Sequence, residues 1–521
     1  MISRKGSIKA MEALTTLAAY LLPELWLAFA GFAILTIDFS LRRLPKRQLG
    51  YTAATAMGIT AFLVPMQGWL AVTAQRIPSQ LGQFLNFCLT PDLYAIYFKF
   101  VIVVGMLIVI LASLDYVERH LSEVGGEFYA LLCFVTFSMF FMVSTIELIT
   151  LFLALEFTSI ASYVLAAFSR TNPRSAEAGI KYFLTGAAAT AVTLYGMSLI
   201  YAFAGTTNLY AILNKAAGGQ TQQPALLLAA IVMVLASLGF KIAMVPFQAW
   251  APDTYEGAPT PITAFLAVAS KGAALALLAR FLLIGFGWNH VLWRPTIALA
   301  SAVTMTVGNL FAIPQKNIKR LLAYSSIAHV GYMLVALASV GQHDLLVLAG
   351  REAWRATDMV LPGLLLYVLA YTFATGGAFI VVLMVSHAIN SDNIDDYAGL
   401  AQRMPYAAWS LVIFFLSLIG VPPLVGFFGK ALVFAGAIYN NMGWLALLGV
   451  LNSVVSLYYY FEVIRRMFFM PPRMEIPVKT TPNLEAALLL ALAGTIILGI
   501  LPGPALEWIR DSLRGILMIA M

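Results

Sequence analysis

Apolar stretches of more than about 20 residues recur along the whole chain, and a helix needs about that length to cross a bilayer core. Hydrophobic residues make up 61% of the 521 residues, charged residues make up 11%, and the mean hydropathy is +0.87. This composition excludes a soluble globular protein. The net charge of +7 is carried mainly by loops and does not indicate nucleic-acid binding. We therefore predict an all-α polytopic membrane protein.

Hydropathy and helix-breaking residues divide the chain into about fourteen transmembrane helices. The predicted spans are 11–39, 49–74, 92–114, 126–145, 146–168, 173–204, 224–250, 260–287, 293–312, 318–340, 361–389, 405–440, 443–469 and 484–503. Because the connections are short, residues 1–521 are expected to form a single membrane domain. Interruptions in the seventh and twelfth spans predict two inverted five-helix repeats, each containing one broken helix. The first repeat is residues 126–287 (helices 4–8), and the second is residues 293–469 (helices 9–13).

Lys and Arg are unevenly distributed between the loops on the two sides of the predicted bundle. The clearest basic clusters, at residues 42–47, 316–320 and 465–466, all fall on one side. Positive loops favour the cytoplasm, so both termini are expected on the non-cytoplasmic side of a bacterial plasma (inner) membrane or an equivalent energy-transducing membrane. The basic residues inside predicted spans are Lys99, Lys181, Lys241, Lys271, Arg280 and Lys430.

Lys241, Lys271 and Lys430 lie deep inside predicted helices, and Glu156 lies inside another. A charge at the bilayer centre costs about 2.5–3.5 kcal/mol on insertion scales. Several such residues therefore predict that charge moves through the membrane. A buried ammonium loses solvation, and a nearby carboxylate restores part of its stabilisation. Glu156 is the natural carboxylate partner, and a Glu–Lys pair that opens and closes would act as a proton switch.

Prolines interrupt two of the helices that carry these lysines. Pro246 follows Lys241, whereas Pro422 and Pro423 precede Lys430 in the twelfth span. Proline lacks a backbone donor and crowds the preceding turn, so each helix is expected to kink or break. Non-helical backbone at membrane depth is tolerated where it is buried in protein or lines a water-filled cavity. Prolines are frequent in membrane helices in general, but two breaks that each lie near a lysine indicate function.

Three further residues are candidates, each with a structural alternative. His329 either relays protons or is a hydrogen-bonded core residue, since histidine changes charge near physiological pH. Lys181 either carries protons or pairs locally with Glu177 at the i, i+4 spacing. Glu147, close to the start of the fifth span, is either a proton-uptake carboxylate or a solvated helix terminus.

Two basic residues near helix ends have a structural explanation. Lys99 and Arg280 are expected to extend to the membrane interface, with their apolar stems along the helix.

Cys88 and Cys133 show no metal-binding spacing, and no phosphate loop, nucleophile triad or metal motif is present. We therefore expect no catalytic residue, metal or cofactor in this chain.

The segments around these residues resemble the antiporter-like membrane subunits of respiratory complex I, the proton-pumping NADH:quinone oxidoreductase, and above all the subunit N type. The matching segments are ELITLFLALEFTSIASYVLAAF, RSAEAGIKYFLTGA, FKIAMVPFQAWAPDTYEGAPTPITAFLAVASK, NIKRLLAYSSIAHVGYML and GVPPLVGFFGK. Together with the predicted helix number, they cover nearly the whole chain. The stretch WAPDTYEGAPTP is the most specific.

The resemblance implies a role for each candidate. Glu156 and Lys241 match the glutamate and lysine that pair in the family, Lys271 matches the central lysine, and Lys430 matches the lysine of the second half-channel. Proton translocation is likewise implied for Lys181 and His329. Electrons would pass through other subunits, where FMN, iron–sulfur clusters and quinone are expected. The implied partners are other complex I subunits, especially neighbouring antiporter-like subunits, together with the lipid bilayer and protons.

Two other functions stay open at this point. The first is an Mrp-type cation/proton antiporter subunit, although such subunits tend to carry a histidine-containing WLPxAHxxAP stretch where this chain has APDTYEGAP. The second is a structural scaffold whose buried charges only pair with each other. The electron donor also stays open between NADH and a ferredoxin, because photosynthetic and ferredoxin-linked complexes contain the same type of subunit.

Overall fold

The computed structural model describes residues 2–41, 44–74, 80–217, 224–348, 355, 358–472, 480–514 and 516. Over these residues the chain is almost entirely helical, and β-structure is limited to isolated bridges. The α-helices are α1 (Ile2–Ser40), α2 (Lys46–Ala74), α3 (Gln80–Cys88), α4 (Leu93–His120), α5 (Gly125–Ser144), α6 (Leu148–Ala166), α7 (Pro173–Ala204), α8 (Leu209–Ala217), α9 (Pro224–Ile242), α10 (Trp250–Gly257), α11 (Thr260–Phe265), α12 (Lys271–Arg280), α13 (His290–Ala312), α14 (Ile318–Ala338), α15 (Gln342–Leu348), α16 (Val360–Ile389), α17 (Leu400–Arg403), α18 (Pro405–Ile419), α19 (Val425–Tyr439), α20 (Gly443–Phe469), α21 (Pro482–Ile500) and α22 (Pro502–Leu513).

Among the described residues, thirteen helices are long and apolar enough to cross a membrane. One of them is the continuous helix at residues 260–285, in which two π-helical stretches, Leu266–Ser270 and Phe281–Gly285, accompany α11 and α12. The twelfth predicted span consists of two shorter apolar helices, α18 and α19. The prediction of an all-α polytopic membrane protein with about fourteen spans is therefore confirmed.

The bundle has a buried centre and an apolar rim. In the most apolar 18-residue segment of α16, and in that of the helix at residues 260–285, 100% of the residues are buried. In the corresponding segments of α7 and α20 only 33% are buried. Large apolar side chains are exposed on the rim, such as Phe62, Leu153 and Val454. Side chains on the two central helices are therefore shielded from lipid, and Lys271 lies on one of them.

Successive spans run in opposite directions, so the connections gather at two ends of the bundle. We call the end that contains Lys46, Lys316 and Arg466 the basic end. The opposite end contains Glu147 and Asp344. Both breaks in the helices lie between these ends.

The first break separates α9 from α10. Regular helix ends at Ile242 and resumes at Trp250, so Pro246 lies in the irregular segment. The Val245 backbone N–H donates to the Thr304 hydroxyl at 3.1 Å. The Trp250 indole donates to the Phe240 carbonyl at 2.8 Å. Backbone groups released by the break are thus satisfied by side chains of the bundle, as membrane depth requires.

The second break separates α18 from α19, and Pro422 and Pro423 lie within it. Gly420 adopts a φ of 96°, which glycine tolerates because it has no Cβ. The missing side chain also makes room for the stem of Lys430, whose Cδ would lie 3.1 Å from a Cβ placed at Gly420. The Lys430 ammonium donates to the Ile419 carbonyl at 3.0 Å. The break therefore supplies one of the two hydrogen-bond acceptors that this lysine has in the described part of the chain.

Candidate functional site

Lys241 is 1% exposed and lies one residue before the end of α9. Its ammonium lies 3.4 Å and 3.3 Å from the hydroxyls of Ser159 and Ser162 on α6. The hydroxyl of Tyr182 on α7 lies 3.2 Å away. Within the described residues no carboxylate forms an ion pair with Lys241, so neutral oxygens alone hold its ammonium.

Glu156, the predicted partner of Lys241, lies on α6 and is half-buried. Its carboxylate accepts a hydrogen bond of 2.6 Å from the hydroxyl of Thr190 on α7. Across the part of the chain that the structure describes, no hydrogen bond or ion pair joins it to Lys241. The predicted Glu–Lys pair is therefore open in this structure.

Lys271 begins α12 at the centre of the bundle and is 1% exposed. Its ammonium donates to the hydroxyl of Ser326 on α14. The centre of the Tyr255 ring lies 5.5 Å from the same ammonium. The Tyr255 hydroxyl is buried and has no hydrogen-bond partner among the described residues. This lysine also lacks a carboxylate partner within the described part of the chain.

His329 continues the polar contacts along α14. Its Nδ1 lies 2.7 Å from the Tyr367 hydroxyl, and its Nε2 lies 3.3 Å from the Tyr460 hydroxyl. Tyr460 also contacts Ser325, the sequence neighbour of the serine that Lys271 contacts. Lys271 thus contacts Ser326 directly, and His329 is linked to the adjacent Ser325 through the Tyr460 hydroxyl.

Lys430 lies at the end of this series of polar contacts, next to the second helix break. It is 5% exposed, and besides its carbonyl acceptor at the helix break it donates to the Ser453 hydroxyl at 3.2 Å. Its ammonium lies 4.5 Å from the centre of the Tyr332 ring. That ring in turn lies 5.6 Å from the His329 ring, measured between centroids. Lys271, His329 and Lys430 therefore form one buried cluster.

Three aromatic rings in contact lie between Lys241 and this cluster. The Tyr182 ring stacks on the Trp250 ring at a centroid distance of 4.1 Å. The Tyr255 ring follows at 6.3 Å. The two tyrosines at the ends of this row contact Lys241 and Lys271, respectively. The sequence analysis did not select these tyrosines, although tyrosines inside apolar spans signal buried hydroxyls that need partners.

Lys181 lies apart from the buried lysines, on the rim of the bundle. It is 45% exposed and forms ion pairs with Glu177 at 2.8 Å and Asp253 at 2.7 Å. Arg320 shares Asp253 at 2.6 Å. Burial favours a higher pKa for Asp253, but the hydrogen bonds from Lys181 and Arg320 together hold that pKa below its ordinary value. The predicted local pair with Glu177 is present and belongs to a surface network.

Glu147 has a structural partner set at the start of α6. Its side chain is 3% exposed and accepts hydrogen bonds from the backbone N–H groups of Ile149 at 2.9 Å and Thr150 at 2.7 Å. These bonds satisfy donors that a helix start otherwise leaves unpaired. Glu147 is thus a buried N-cap at the opposite end, and a role in proton uptake stays a prediction.

The expectation that Lys99 and Arg280 reach the membrane interface is wrong. Both side chains are 0% exposed. Lys99 on α4 pairs with Glu24 on α1 at 2.5 Å, and Arg280 pairs with Asp92 at 2.7 Å. Each partner lies far away in sequence, so only the packing of the helices brings the charges together.

A polar cavity of about 710 Å³ opens at the basic end. Its wall includes His120 from α4 and His387 from α16, whose rings stack at 5.5 Å, and Lys319 from α14, which pairs with Asp392 at 3.1 Å. The cavity reaches Thr260, the first residue of the helix that carries the central lysine. The sequence analysis did not select this group, because its members come from widely separated loops and helix ends.

A family model described as NADH:quinone oxidoreductase/Mrp antiporter, TM, matches residues 145–456. The NADH-quinone oxidoreductase subunit N of Desulforamulus reducens is 42% identical over 441 residues, which cover 84% of this chain and 88% of the relative. The chain belongs to the NADH:quinone oxidoreductase/Mrp antiporter family. The predicted resemblance to the antiporter-like subunits of complex I, with subunit N as the nearest type, is thereby confirmed.

Solved structures of family members agree with this assignment. A chain in respiratory complex I from Thermus thermophilus with bound Aureothin has a TM-score of 0.74 and 30% identity, covering 93% of this chain and 98% of that chain. A chain of the Mrp complex from Dietzia sp. DQ12-45-1b has a TM-score of 0.79 at 17% identity, covering 97% and 98%, and shares the fold. The family match contains Lys241, Lys271, His329 and Lys430 and begins after Lys99.

Proposed function

We propose that this chain is a proton-translocating membrane-arm subunit of a complex I-type oxidoreductase, in which other subunits reduce quinone. One observation carries the proposal: Lys241, Lys271 and Lys430 are buried with only neutral hydrogen-bond partners among the described residues. An amine in such a site exchanges protons more readily than one held in an ion pair. A lysine that served only to stabilise the bundle would be expected to have a carboxylate partner.

Glu156 provides a control element for this row. Its carboxylate binds Thr190 in this structure, and a shift toward Lys241 would stabilise the ammonium form of that lysine. The return of Glu156 to Thr190 would favour release of the proton. Neighbouring subunits would drive the shift by an electrostatic or conformational change, which couples proton movement to chemistry elsewhere.

The proposed route follows the buried contacts in order. A proton passes from Lys241 to Lys271, and water between them would carry it, because the Trp250 indole in the intervening aromatic row only donates a hydrogen bond and already donates to the Phe240 carbonyl. The hydroxyls on α14 and the ring of His329 then connect Lys271 to Lys430. Hydroxyls and an imidazole suit this task because each both donates and accepts a hydrogen bond. Lys181 and Glu147 lie outside this line and have a peripheral part in the proposal.

The names of the relatives support the assembly part of the proposal. The similar curated proteins are named NADH-quinone oxidoreductase subunit N, and a similar solved chain comes from respiratory complex I. The partners are accordingly other complex I subunits, including neighbouring antiporter-like subunits, which would hold FMN, iron–sulfur clusters and the quinone site. The basic end would face the cytoplasm, and the donor would be NADH or a ferredoxin. Likeness to the Mrp chain, at 17% identity, supports the fold alone.

Lysine replacement in the assembled complex tests this proposal. Lys241→Met and Lys430→Met should each lower coupled turnover and proton pumping about tenfold or more, because each removes a proton carrier. The measurement is proton uptake and quinone reduction in proteoliposomes, normalised to the amount of assembled complex. Lys215→Met changes a lysine that is not among the three buried lysines of the proposal, and it should retain wild-type values. Unchanged pumping rate and stoichiometry in both test variants would refute the proposal.

A further inference from the structure

The continuous helix that carries Lys271 changes from α-helical to π-helical hydrogen bonding on both sides of α12. The π-helical stretch Leu266–Ser270 precedes α12, and the π-helical stretch Phe281–Gly285 follows it. A π-helical turn contains an extra residue and interrupts the regular i, i+4 hydrogen bonding. The ten residues of α12 are therefore not fixed in rotation by one regular ladder running the whole length of the span.

The interior side chains of α12 make no hydrogen bond among the described residues that would fix its rotation. Between its two end residues the sequence is GAALALLA, whose small and apolar side chains pack without directional bonds. The polar side chains of α12 are at its ends, Lys271 and Arg280. At 3.6 residues per turn, their nine-residue separation places them about half a turn apart around the axis. Whatever fixes the direction of one side chain therefore also fixes the other.

The Arg280 side of α12 is held by several directional contacts. Both guanidinium nitrogens donate to Asp92, at 2.8 Å and 2.7 Å, and the guanidinium lies 4.8 Å from the Tyr94 ring. The Tyr94 hydroxyl donates to the Ala276 carbonyl on α12 at 2.9 Å. Asp92 is itself fixed as the N-cap of α4, because it accepts from the Ala95 N–H at 2.8 Å. A two-point Arg–carboxylate pair is the most orientation-specific ionic contact available to a protein.

The Lys271 side is held more weakly. Its ammonium has a single hydrogen-bond acceptor among the described residues, the Ser326 hydroxyl. The second contact is the Tyr255 ring at 5.5 Å. A flexible four-carbon stem with one neutral acceptor does not set the rotation of a helix. The rotation of α12 is therefore determined on the opposite face.

We infer that the Arg280–Asp92 pair sets the rotation of α12 and thereby directs Lys271 toward Ser326. Arg280 and Asp92 are positioning residues that act through Lys271, and they do not themselves carry the proton. The inference rests on the proposed function of Lys271. The inference assigns the buried Arg280 a positioning role.

Two conservative variants of the pair test the inference in the assembled complex. Arg280→Lys keeps the charge but loses the two-point geometry, and Asp92→Asn keeps the volume but loses the charge. Each should lower coupled turnover about tenfold, because small displacements of a reacting group carry large costs. Each should also displace the pH profile of turnover, while the amount of assembled complex stays unchanged. A merely structural pair would change the amount of complex and leave the pH profile in place.

A second background separates action through Lys271 from independent damage. Ser326→Ala removes the acceptor toward which Lys271 is directed. If Arg280 acts through this contact, Arg280→Lys should cause little further loss in the Ser326→Ala background. Losses that multiply would overturn the inference. Failure of both Arg280→Lys and Asp92→Asn to assemble would overturn it as well, in favour of a structural role.

The control is the double variant Glu24→Gln with Lys99→Met. It removes the other buried ion pair on α4, whose hydrogen bonds do not involve α12, and should retain wild-type turnover and pH profile. Wild-type pumping in Lys271→Met would refute the proposed function itself. Loss of pumping in Lys271→Met, together with wild-type behaviour of Arg280→Lys and Asp92→Asn, would overturn only the positioning inference.

Discussion

Lys99 and Lys241 are buried to nearly the same extent, at 0% and 1% exposure, but their surroundings differ. Lys99 donates to the Glu24 carboxylate at 2.5 Å and to the Gln67 amide oxygen at 2.8 Å. Among the described residues, Lys241 hydrogen-bonds only to hydroxyls, at 3.2–3.4 Å, and the nearby carboxylate of Glu156 accepts its hydrogen bond from Thr190 instead. The Lys99–Glu24 pair is therefore closed, because its ion pair is formed. The Lys241–Glu156 pair is open, because no ion pair joins these two residues.

The difference shows that equally buried lysines can differ in whether a carboxylate compensates their charge. A closed pair is expected to stay charged, because removing either charge leaves the other buried without compensation. A lysine among hydroxyls loses no ionic partner when it gives up its proton. The state of the carboxylate partner is therefore the structural difference between these two lysines.

The largest effect is expected from breaking the closed pair on one side only. Lys99→Met should destabilise the chain by about 3–5 kcal/mol, because it leaves the Glu24 carboxylate uncompensated in an apolar interior. The yield and thermal inactivation of the assembled complex measure this loss. Adding Glu24→Gln should restore both. A single variant as stable as the wild type would remove the distinction between the two pairs.

A smaller effect is expected at the open pair, and on function instead of stability. Glu156→Gln should reduce coupled proton pumping about tenfold, because the amide lacks the charge that controls Lys241. Assembly should be unaffected, since the amide oxygen still accepts the hydrogen bond from Thr190. Pumping per assembled complex in proteoliposomes is the measurement. A loss of assembly with normal pumping would show that the open pair is structural as well.

The smallest effect concerns a buried carboxyl that no lysine contacts among the described residues. Asp344 on α15, outside the membrane spans, is 4% exposed and accepts from the Gly341 N–H at 2.7 Å and the Asn440 amide at 3.1 Å. Burial raises the pKa of Asp344 to about 6, and the bond from Gly341 opposes that rise.

Because the folded pKa of Asp344 lies above the ordinary aspartate value, the folded state binds this proton more tightly than the unfolded state does. Its contribution to stability is fully present below about pH 4 and is lost as the pH rises through about 6. Asp344→Asn should remove this dependence, which we expect to be about 2–4 °C in the unfolding midpoint. Thermal unfolding of wild type and variant across this pH range measures it. Identical pH dependence in both proteins would contradict the assignment.

The sequence was informative wherever one helix decided the outcome. The length of the apolar stretches predicted the spans, and the prolines after Lys241 and before Lys430 correctly located the two interruptions. These features are local, because a proline breaks the backbone ladder whatever surrounds it. The resemblance in the segments around the lysines led to the family for the same reason, since those motifs are continuous in sequence.

The sequence did not determine which buried charges meet. Lys99 and Arg280 near helix ends were compatible with reaching the interface or with burial. The packing of α1 against α4 buried Lys99, and the packing of α12 against the start of α4 buried Arg280. The open state of Glu156, the tyrosines around His329 and the rotation of α12 were decided in the same way. A side chain contacts only what lies within a few ångströms, and partners on other helices become neighbours only when the bundle packs. The sequence by itself thus determined the spans, the breaks and the candidate lysines, and the tertiary structure decided which of those lysines have no counter-charge among the described residues.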